Sequence, residues 1–596
     1  MYRTKTCGEL RANHVGNEVT ISGWVDSYRN HGGFLFINLR DRYGVTQVVF
    51  TPDMGDDPFQ LAQSFRLEDV IQVVGKVNPR PEGQTNPKMP TGEIEVQAIS
   101  VTLLNESVPV PFLPSGFDTP SEETRLKYRY LDLRRPEMQR TLILRHKITK
   151  VMRDYFDENH FVEVETPMLG KSTPEGARDY LVPSRVSQGC FYALPQSPQL
   201  YKQILMIAGM DRYIQIARCF RDEDLRADRQ PEFTQLDVEM AFVEMEDIIS
   251  TIDGLMVRLC KDLRGEELSS PIPRMTYDEA MERFGHDSPD LRFGMELVDV
   301  TDLAKACEFR VFREPATAGG RVRGINAKNC ADRYSRKAID ELTEFVKGYG
   351  AKGLVWFKVE GDGKLAGPSA KNFDETLLQK IGERLGAEPK DLLFFGCDSF
   401  DITCKVLNAL RRKLAAELKL YDPSKLHISW IVKFPMFARD EETGGWTAMH
   451  HPFTAPLAED VPKVKTDPAA VRAQAYDLVI NGFEAGGGTI RIHDTNLQSD
   501  VFSLIGLSQE TARTQFGFLL EALKMGAPPH GGIALGLDRL VMLFAGLDNI
   551  RDCIAFPKTA KASCLMTNAP DTVAPQQLEE LGIRTMVDPT KSDKES

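Results

Sequence analysis

The sequence predicts a multidomain α+β protein: a small N-terminal β-barrel, a larger domain built on an antiparallel sheet, and an α+β domain inserted into that sheet domain. Three observations lead to this class. Five β-rich runs crowd residues 1–107. Two later stretches, residues 220–239 and 477–539, carry strand patterns with arginines and carboxylates on one face or beside glycine runs. Between them, residues 291–425 mix helical and strand patterns and hold no dense polar cluster. A chain of 596 residues has room for roughly three to five domains of ~100–200 residues.

In chain order, VTISGWVDSYR, GFLFINLRDR, GVTQVVF, VIQVVGKVN and GEIEVQAISVTLL are the strand candidates of residues 1–107. They have the alternation and β-branched content that strands favour. Five strands in ~100 residues fit a closed OB-fold barrel. That fold offers aromatics and arginines to single-stranded bases. The candidates on its face are Arg29, Phe36, Gln47, Arg80 and Glu95. The segment holds 10 basic and 13 acidic residues, so nucleic-acid contact would rest on stacking and hydrogen bonds more than on bulk charge. A protein-binding barrel is the alternative.

Residues 108–135 read as a proline-bearing linker or hinge. From Arg140, Leu142, Leu144, Ile148, Val151, Met152, Tyr155 and Phe156 recur at helical spacing. This helix leads into FVEVETPML, a strand that stops at Pro167, and opens the first part of the sheet domain, residues 136–290. The inserted domain, 291–425, follows. Residues 426–560 return to strand and glycine-rich patterns. Residues 561–596 form a C-terminal extension whose polar end, TKSDKES, is expected to be disordered.

Bulk numbers exclude several function classes. Hydrophobic residues are 42% and charged residues 27%, ordinary globular composition. No apolar run approaches the ~20 residues a membrane-spanning helix needs, so no membrane partner is expected. The opening MYRTKTCGELRANH has no apolar signal core, and a cytoplasmic location is the expectation. The ten cysteines stand singly, without a CxxC pair; neither zinc nor a disulfide framework is indicated. A net charge of −13 argues against nonspecific coating of nucleic acid. It leaves room for recognition of one folded RNA.

Polar clusters carry the chemistry. In FRDEDLRADRQPEFTQLDVE, Arg221 and Glu223 end one strand, and Phe233, Gln235, Asp237 and Glu239 share one face of the next. Leu236, Val238 and Met240 occupy the opposite face. A polar sheet face of this kind suits a charged small molecule; a solvated hairpin is the bland reading. Gln199 and Lys202 fall on one helical face after Pro198. Glu484 precedes Gly486, Gly487 and Gly488, and Arg491 follows. Glycines admit close backbone approach, and a carboxylate there, with Asp477 seven residues earlier, suits Mg²⁺, which favours oxygen ligands and phosphates. Arg539 emerges beside Gly536 where a strand enters a helix, a place for a phosphate or for a structural salt bridge. The chain has no GxxxxGK[ST] and no GxGxxG after a strand, so a bound nucleotide uses neither common cradle.

Together these segments resemble the class II aminoacyl-tRNA synthetases. FVEVETPML with Pro167 is similar to motif 1, FRDE through FTQLDVE to motif 2, and GIALGLDR to motif 3. The N-terminal barrel narrows the resemblance to the aspartyl, asparaginyl and lysyl subgroup, class IIb. TPEGARDYLVPSR, QSPQLYKQ, TAMHHPF and GGGTIRIH resemble the aspartyl-tRNA synthetases, and the insertion resembles the bacterial type.

The resemblance implies a site residue by residue. Lys202 and Arg491 would pair with the aspartate side chain; Glu175, Gln199 and Asp237 would surround the amino acid, largely at its ammonium; His450 would close over it. Arg221 would bridge the amino-acid carboxylate and the α-phosphate of ATP. ATP would also meet Asp222, Glu223, Gln230, Glu484, Gly536, Leu537, Asp538 and Arg539, with Arg221 and Arg539 as catalytic groups. Asp477 and Glu484 would hold Mg²⁺. Phe36 would stack on an anticodon base and Gln47 would read the central U, with Glu95, Arg29 and Arg80 nearby.

One departure concerns tRNA choice. Strictly tRNA(Asp)-specific bacterial relatives tend to carry leucine near position 31 and lysine near 83, whereas this chain has His31 and Gly83. That pair resembles the non-discriminating kind, which also charges tRNA(Asn) and supplies an aspartyl-tRNA amidotransferase. A strictly tRNA(Asp)-specific enzyme is the alternative. A homodimer is expected because motif 1 forms the family's interface. A catalytically dead paralogue is disfavoured because every charged position above is present, and an asparagine-activating relative because Lys202, Arg491 and the insertion are.

Overall fold

The structure, a computed structural model, describes residues 1–116, 118–173, 176–225, 229–440 and 443–586. Packing divides it into two compact units: residues 1–143 with 551–571, and residues 144–550 with the segment that begins at Thr572.

In the first unit, β1 (Glu18–His31), β2 (Phe34–Asp41), β3 (Gly44–Phe50), β4 (Val70–Pro79) and β5 (Ile94–Asn105) close into a barrel in the order β1-β2-β3-β5-β4. Helix α1 (Asp56–Ser64) joins β3 to β4. Alternation explains the strands: Val19, Ile21 and Val25, then Leu35, Ile37 and Leu39, then Ile71, Val73 and Val77 all enter one core. The β1–β2 turn is Gly32–Gly33, with φ of 60° and 84°, the positive values a type I′ hairpin requires. Residues 551–571 belong here because Arg129 gathers them. Its guanidinium donates to the carbonyls of Arg551, Ile554 and Ala555 while pairing with Asp132.

Helix α2 (Pro136–Glu158), whose residues from Leu144 on belong to the second unit, buries Ile148, Met152 and Phe156 on one stripe. Then come β6 (Val162–Glu163), α3 (Gln199–Ile207), β7 (Arg212–Phe220), β8 (Glu232–Ala241), α4 (Met245–Arg264) and β9 (Arg274–Thr276). The strand expected to run to Pro167 stops after Glu163; proline has no N–H to give a ladder. Helix α4 buries Ile248, Ile252, Leu255 and Leu259. Its buried Asp253 accepts the Trp430 Nε1–H at 2.7 Å and the Ile272 N–H at 3.0 Å.

The insertion builds its own sheet from β10 (Val298–Asp299), β11 (Arg321–Ala327), β12 (Val355–Val359), β13 (Leu365–Ala366) and β14 (Leu392–Asp398), in the order β10-β11-β14-β12-β13. The chain then completes the main sheet with β15 (Ile428–Val432), β16 (Ala475–Ile480), β17 (Phe483–Ile490) and β18 (His530–Gly536), and ends the sheet in α5 (Leu537–Ala545). The eight strands stand in the order β9-β15-β16-β17-β18-β8-β7-β6. Only the two edge pairs, β9 with β15 and β6 with β7, are parallel. The central antiparallel strands therefore come from both sides of the insertion. Among the described residues no helix is long and apolar enough to cross a membrane.

Candidate active site

Strand β8 alternates as its sequence requires, with Leu236, Val238 and Met240 in the core. Gln235, Asp237 and Glu239 stand in register with Gly536, Ala534 and Gly532 of β18. Small residues opposite the carboxylates are a spatial necessity: a Cβ on Gly532 would lie 2.1 Å from Glu239 Oε2. Over this face lie two adjoining hollows, of about 440 Å³ and about 210 Å³. Arg221, Gln235, Glu484 and Ala534 line both.

The larger hollow holds Gln199, Lys202, Asp237, His450, His451 and Arg491. Lys202 Nζ donates to Asp237 Oδ1 at 3.0 Å and lies 3.5 Å from Glu239 Oε2. Arg491 grips Glu239 with two bonds, Nε at 2.9 Å and Nη2 at 3.0 Å, and its Nη1 donates to Thr489 Oγ1. All four charged side chains are buried. The two carboxylates answer differently. Burial pushes Asp237 up, and Lys202 offsets this only in part. Burial also acts on Glu239, but Arg491 and Lys202 overcome it and hold its carboxyl below the ordinary value. The two cations are therefore neutralised before any ligand arrives.

Glu484, Asp477 and Gly487 line the larger hollow together. A Cβ on Gly487 would meet Asp477 Oδ1 at 2.7 Å and Glu484 Oε1 at 3.2 Å, so this glycine keeps two carboxylates close. Burial, then the charges of Glu484 and Asp287, push Asp477 well above the usual carboxylate range. Asp477 Oδ1 has no hydrogen bond among the described residues.

The smaller hollow is lined by Glu223, Arg229, Gln230, Phe233 and Arg539. Arg221 lies over the Phe233 ring at 5.0 Å, and its Nε is buried without a hydrogen-bond partner. Glu223 pairs with Arg229 at 3.1 Å. Arg539 Nη1 donates to the Glu484 carbonyl. Asp538 also lines this hollow; it holds Arg145 and the Thr234 N–H, the latter at 2.8 Å, and fixes the entry into α5. Leu537 is buried in the core, and Asp222 pairs with Arg178 at 3.5 Å. Glu175 lies outside the described residues.

A wider hollow, of about 820 Å³, opens in the insertion between Arg310, Lys352 and Phe400. None of its lining side chains carries a buried polar atom lacking a hydrogen bond, whereas the hollows over β8 collect Arg221, Gln199, Asp237, His450, His451 and Asp477. The chemistry belongs over β8.

Residues 121–560 match the family described as tRNA synthetases class II (D, K and N), and residues 19–104 match the OB-fold nucleic acid binding domain. The chain belongs to the class II tRNA synthetases. It is 61% identical to a protein of Rhodopirellula baltica named aspartate–tRNA(Asp/Asn) ligase, over 98% of this chain and 99% of that relative. It is 54% identical to a Bacillus subtilis protein of the same name, over 97% and 98%. Among solved structures, the asparaginyl-tRNA synthetase of Pyrococcus horikoshii complexed with asparaginyl-adenylate superposes with a TM-score of 0.59, at 18% identity, over 94% of this chain and 99% of that one. That last likeness is one of fold.

The synthetase's barrel gathers four of its five anticodon candidates by contact or charge. Arg29 Nη2 donates to Gln47 Oε1 at 3.3 Å, and Gln47 Nε2 donates to Glu95 Oε2 at 2.9 Å. Burial pushes Glu95 up, against its bond from Gln47 and the charge of Arg80. Phe36 sits directly across from Arg29 in the β1–β2 pair. His31 is exposed at the end of β1. Gly83, with φ +78°, follows Glu82 in a turn closed by the Gln84 N–H on the Pro81 carbonyl, the type II position that demands glycine.

Sequence reasoning missed Glu239's role, His451 and Asp287, all placed at the larger hollow or its charge network. Glu239 already stood in the polar row of β8, and that was the available signal. Asp287 lies just ahead of the insertion and had none.

Proposed function

We propose that this synthetase is an aspartate–tRNA ligase that charges both tRNA(Asp) and tRNA(Asn). The observation that carries the reading is the joined pair of hollows. One is walled by Lys202, Arg491 and Asp237; the other holds Glu223, Gln230 and Arg539; Arg221 stands in both. The α-carboxylate of aspartate attacks the α-phosphorus of ATP, a new oxygen–phosphorus bond forms, and pyrophosphate leaves. The terminal ribose 3′-OH of tRNA then attacks the aspartyl carbonyl and AMP leaves. No side-chain nucleophile is required; positioning and charge neutralisation lower the barrier. Arg221 orients the reacting carboxylate and phosphate, and Asp237 receives the ammonium. Gln230 and Glu223 hold the nucleotide, and Arg539 takes its outer phosphate.

Asp477 and Glu484 fit Mg²⁺. Both offer oxygen, their mutual repulsion is relieved by a cation, and Gly487 leaves the space between them. Bound there, the ion would neutralise phosphate charge. Gly487→Ala forces those carboxylates apart, an overpacking of about 1–3 kcal/mol. The expected result is a fall of about tenfold or more in aspartate-dependent pyrophosphate exchange and a higher Mg²⁺ requirement. Mg²⁺ titration of the exchange rate checks it.

Exposed apolar side chains at Val162, Leu169, Leu181 and Phe191 support a second copy covering this surface, as a homodimer. Aspartyl-tRNA(Asn) made here would feed an amidating enzyme.

The decisive test charges tRNA(Asp) and tRNA(Asn) transcripts in parallel with labelled aspartate. Comparable kcat/KM for the two is expected. A preference for tRNA(Asp) beyond ~10²-fold, or ~2.7 kcal/mol, rejects the dual reading. His31 and Gly83 motivate that expectation, and the turn at Gly83 adds a reason: lysine there is strained unless the turn changes.

A further inference from the structure

Two buried arginines of the insertion, Arg323 and Arg411, grip the chain that leads into it from the sheet domain. Arg411 stands on the insertion's long helix, Phe400–Leu418. Its Nε donates to the Met295 carbonyl at 3.2 Å, and its Nη2 to the carbonyls of Asp290 at 3.2 Å and Gly294 at 3.1 Å. The Phe293 carbonyl lies at 3.5 Å from the same Nη2. The rings of Phe284 and Phe293 stand 5.0 Å and 4.4 Å from the guanidinium. A rigid fork that ties these carbonyls together fixes the path of the turn between them. Arg323 donates to the carbonyls of Met281 and Glu282, just upstream. The long helix also presses on Gly285, where a Cβ would meet the Cys404 carbonyl oxygen at 2.8 Å. The same turn packs against the main sheet: a Cβ on Gly482 would lie 2.8 Å from Asp290 Cβ. Gly482 joins β16 to β17, the strands of Asp477 and Glu484.

Asp287 lies in this clamped turn and lines the larger hollow together with Asp477 and Glu484. Its ion-pair neighbour is His286, whose Nδ1 lies at 3.1 Å. That nitrogen accepts the Ser288 N–H at 2.9 Å, so it carries no proton and supplies no charge. The charge of Asp287 reaches Asp477 and His450. Asp477 keeps a buried Oδ1 without a hydrogen bond. Among the described residues no three acidic, His or Cys side chains come close enough to hold a metal ion together. Asp287 therefore acts by its charge, from beyond coordination distance. We propose that Arg411 is a positioning residue for the reaction: through the turn at 285–295 the insertion sets Asp287 at the larger hollow, where its charge strengthens the hold of Asp477 and Glu484 on a divalent cation. The proposal rests on the Mg²⁺ assignment above. It gives the insertion a part in the chemistry, since the path of its long helix sets where that charge stands.

The test measures binding of Mn²⁺ alone, from the EPR signal of the free ion, to the full-length native protein, Asp287→Asn, Arg411→Lys and the double variant. Asp477→Asn identifies the site: the binding that it removes is the binding scored. Asp287→Asn is expected to weaken that binding about fivefold, through one lost charge. Arg411→Lys keeps the charge and loses the fork, and is expected to weaken it about threefold. The double variant should bind no more weakly than Asp287→Asn, because Arg411 acts through that carboxylate. A merely structural Arg411 would lower the melting temperature and leave the Mn²⁺ dissociation constant at its native value. Affinity within about twofold of native in Asp287→Asn, a native constant in Arg411→Lys, or losses that multiply in the double variant overturn the proposal. A dissociation constant does not depend on the fraction of protein folded, so the comparison decides the matter even if Arg411→Lys is unstable. If Asp477→Asn removes no binding, the metal assignment falls, and this proposal with it. If Asp477→Asn removes binding and Asp287→Asn leaves it unaltered, this proposal alone falls.

Discussion

Arg221→Ala is expected to lower aspartate-dependent pyrophosphate exchange by about 10²–10³-fold or more, the usual cost of deleting a charged donor aimed at a transition state. Three observations set that expectation. The side chain lines both hollows, so one guanidinium reaches the attacking carboxylate and the phosphate. Its buried Nε has no hydrogen-bond partner, so its donors are not consumed by the protein's own structure. The Phe233 ring beneath it, at 5.0 Å, holds the plane of the fork. Arg221 makes no ion pair with a protein carboxylate and only adds its charge to those acting on Asp237, after Lys202, so the denaturation midpoint should stay close to native. Arg221→Lys keeps the charge and loses the fork, and should fall between the two. Exchange kinetics together with a denaturation curve check both halves. Exchange within fivefold of native in the alanine variant would remove Arg221 from the reaction.

Much of this site was legible in the sequence, for a local reason. A strand exposes its period over a few residues, so the row Phe233, Gln235, Asp237, Glu239 could be read directly as one polar face. The barrel was legible on the same ground, since each of its five strands alternates within itself. The pairings were not. Glu239 finds Arg491 across 252 residues of chain, and β9 meets β15 across the whole insertion; nothing local encodes such partners. Adjacent identical residues hide their difference as well. His450 stands edge-on to Phe434 at 4.8 Å, its Nε2 4.0 Å from Asp477, while the His451 ring stacks on Phe453 at 5.3 Å. Asp538 shows the same limit: it lines the smaller hollow, but its partners Arg145 and the Thr234 N–H lie hundreds of residues away in the chain.

The buried charges under the larger hollow predict the largest stability effect. Glu239→Gln should destabilise the catalytic unit by about 3–5 kcal/mol, the cost of breaking a buried ion pair from one side. Arg491 loses the anion that receives both its Nε and Nη2, and Lys202 loses its second partner. Asp237→Asn should cost less, because the two carboxylates are perturbed in opposite senses. Glu239 lies below its ordinary value. Its ionised form therefore adds stability above the unfolded glutamate pKa of about 4.3, and that stability is lost as pH falls through the depressed folded value. Asp237 lies above its ordinary value. Its ionisation opposes folding as pH rises past about 3.9, and this penalty stops growing above the raised folded value. Asparagine removes that penalty along with the bond from Lys202, so the two losses partly cancel; glutamine at 239 removes only a gain. Denaturant unfolding of the three proteins across pH 3–7 separates the cases. Glu239→Gln should flatten the acid limb of the native stability curve, and Asp237→Asn should steepen the net rise of stability from acid to neutral pH. Equal destabilisation by both substitutions, with parallel pH curves, would show that the network holds its charge evenly. The division of labour between a stabilising Glu239 and a ligand-facing Asp237 would then fall.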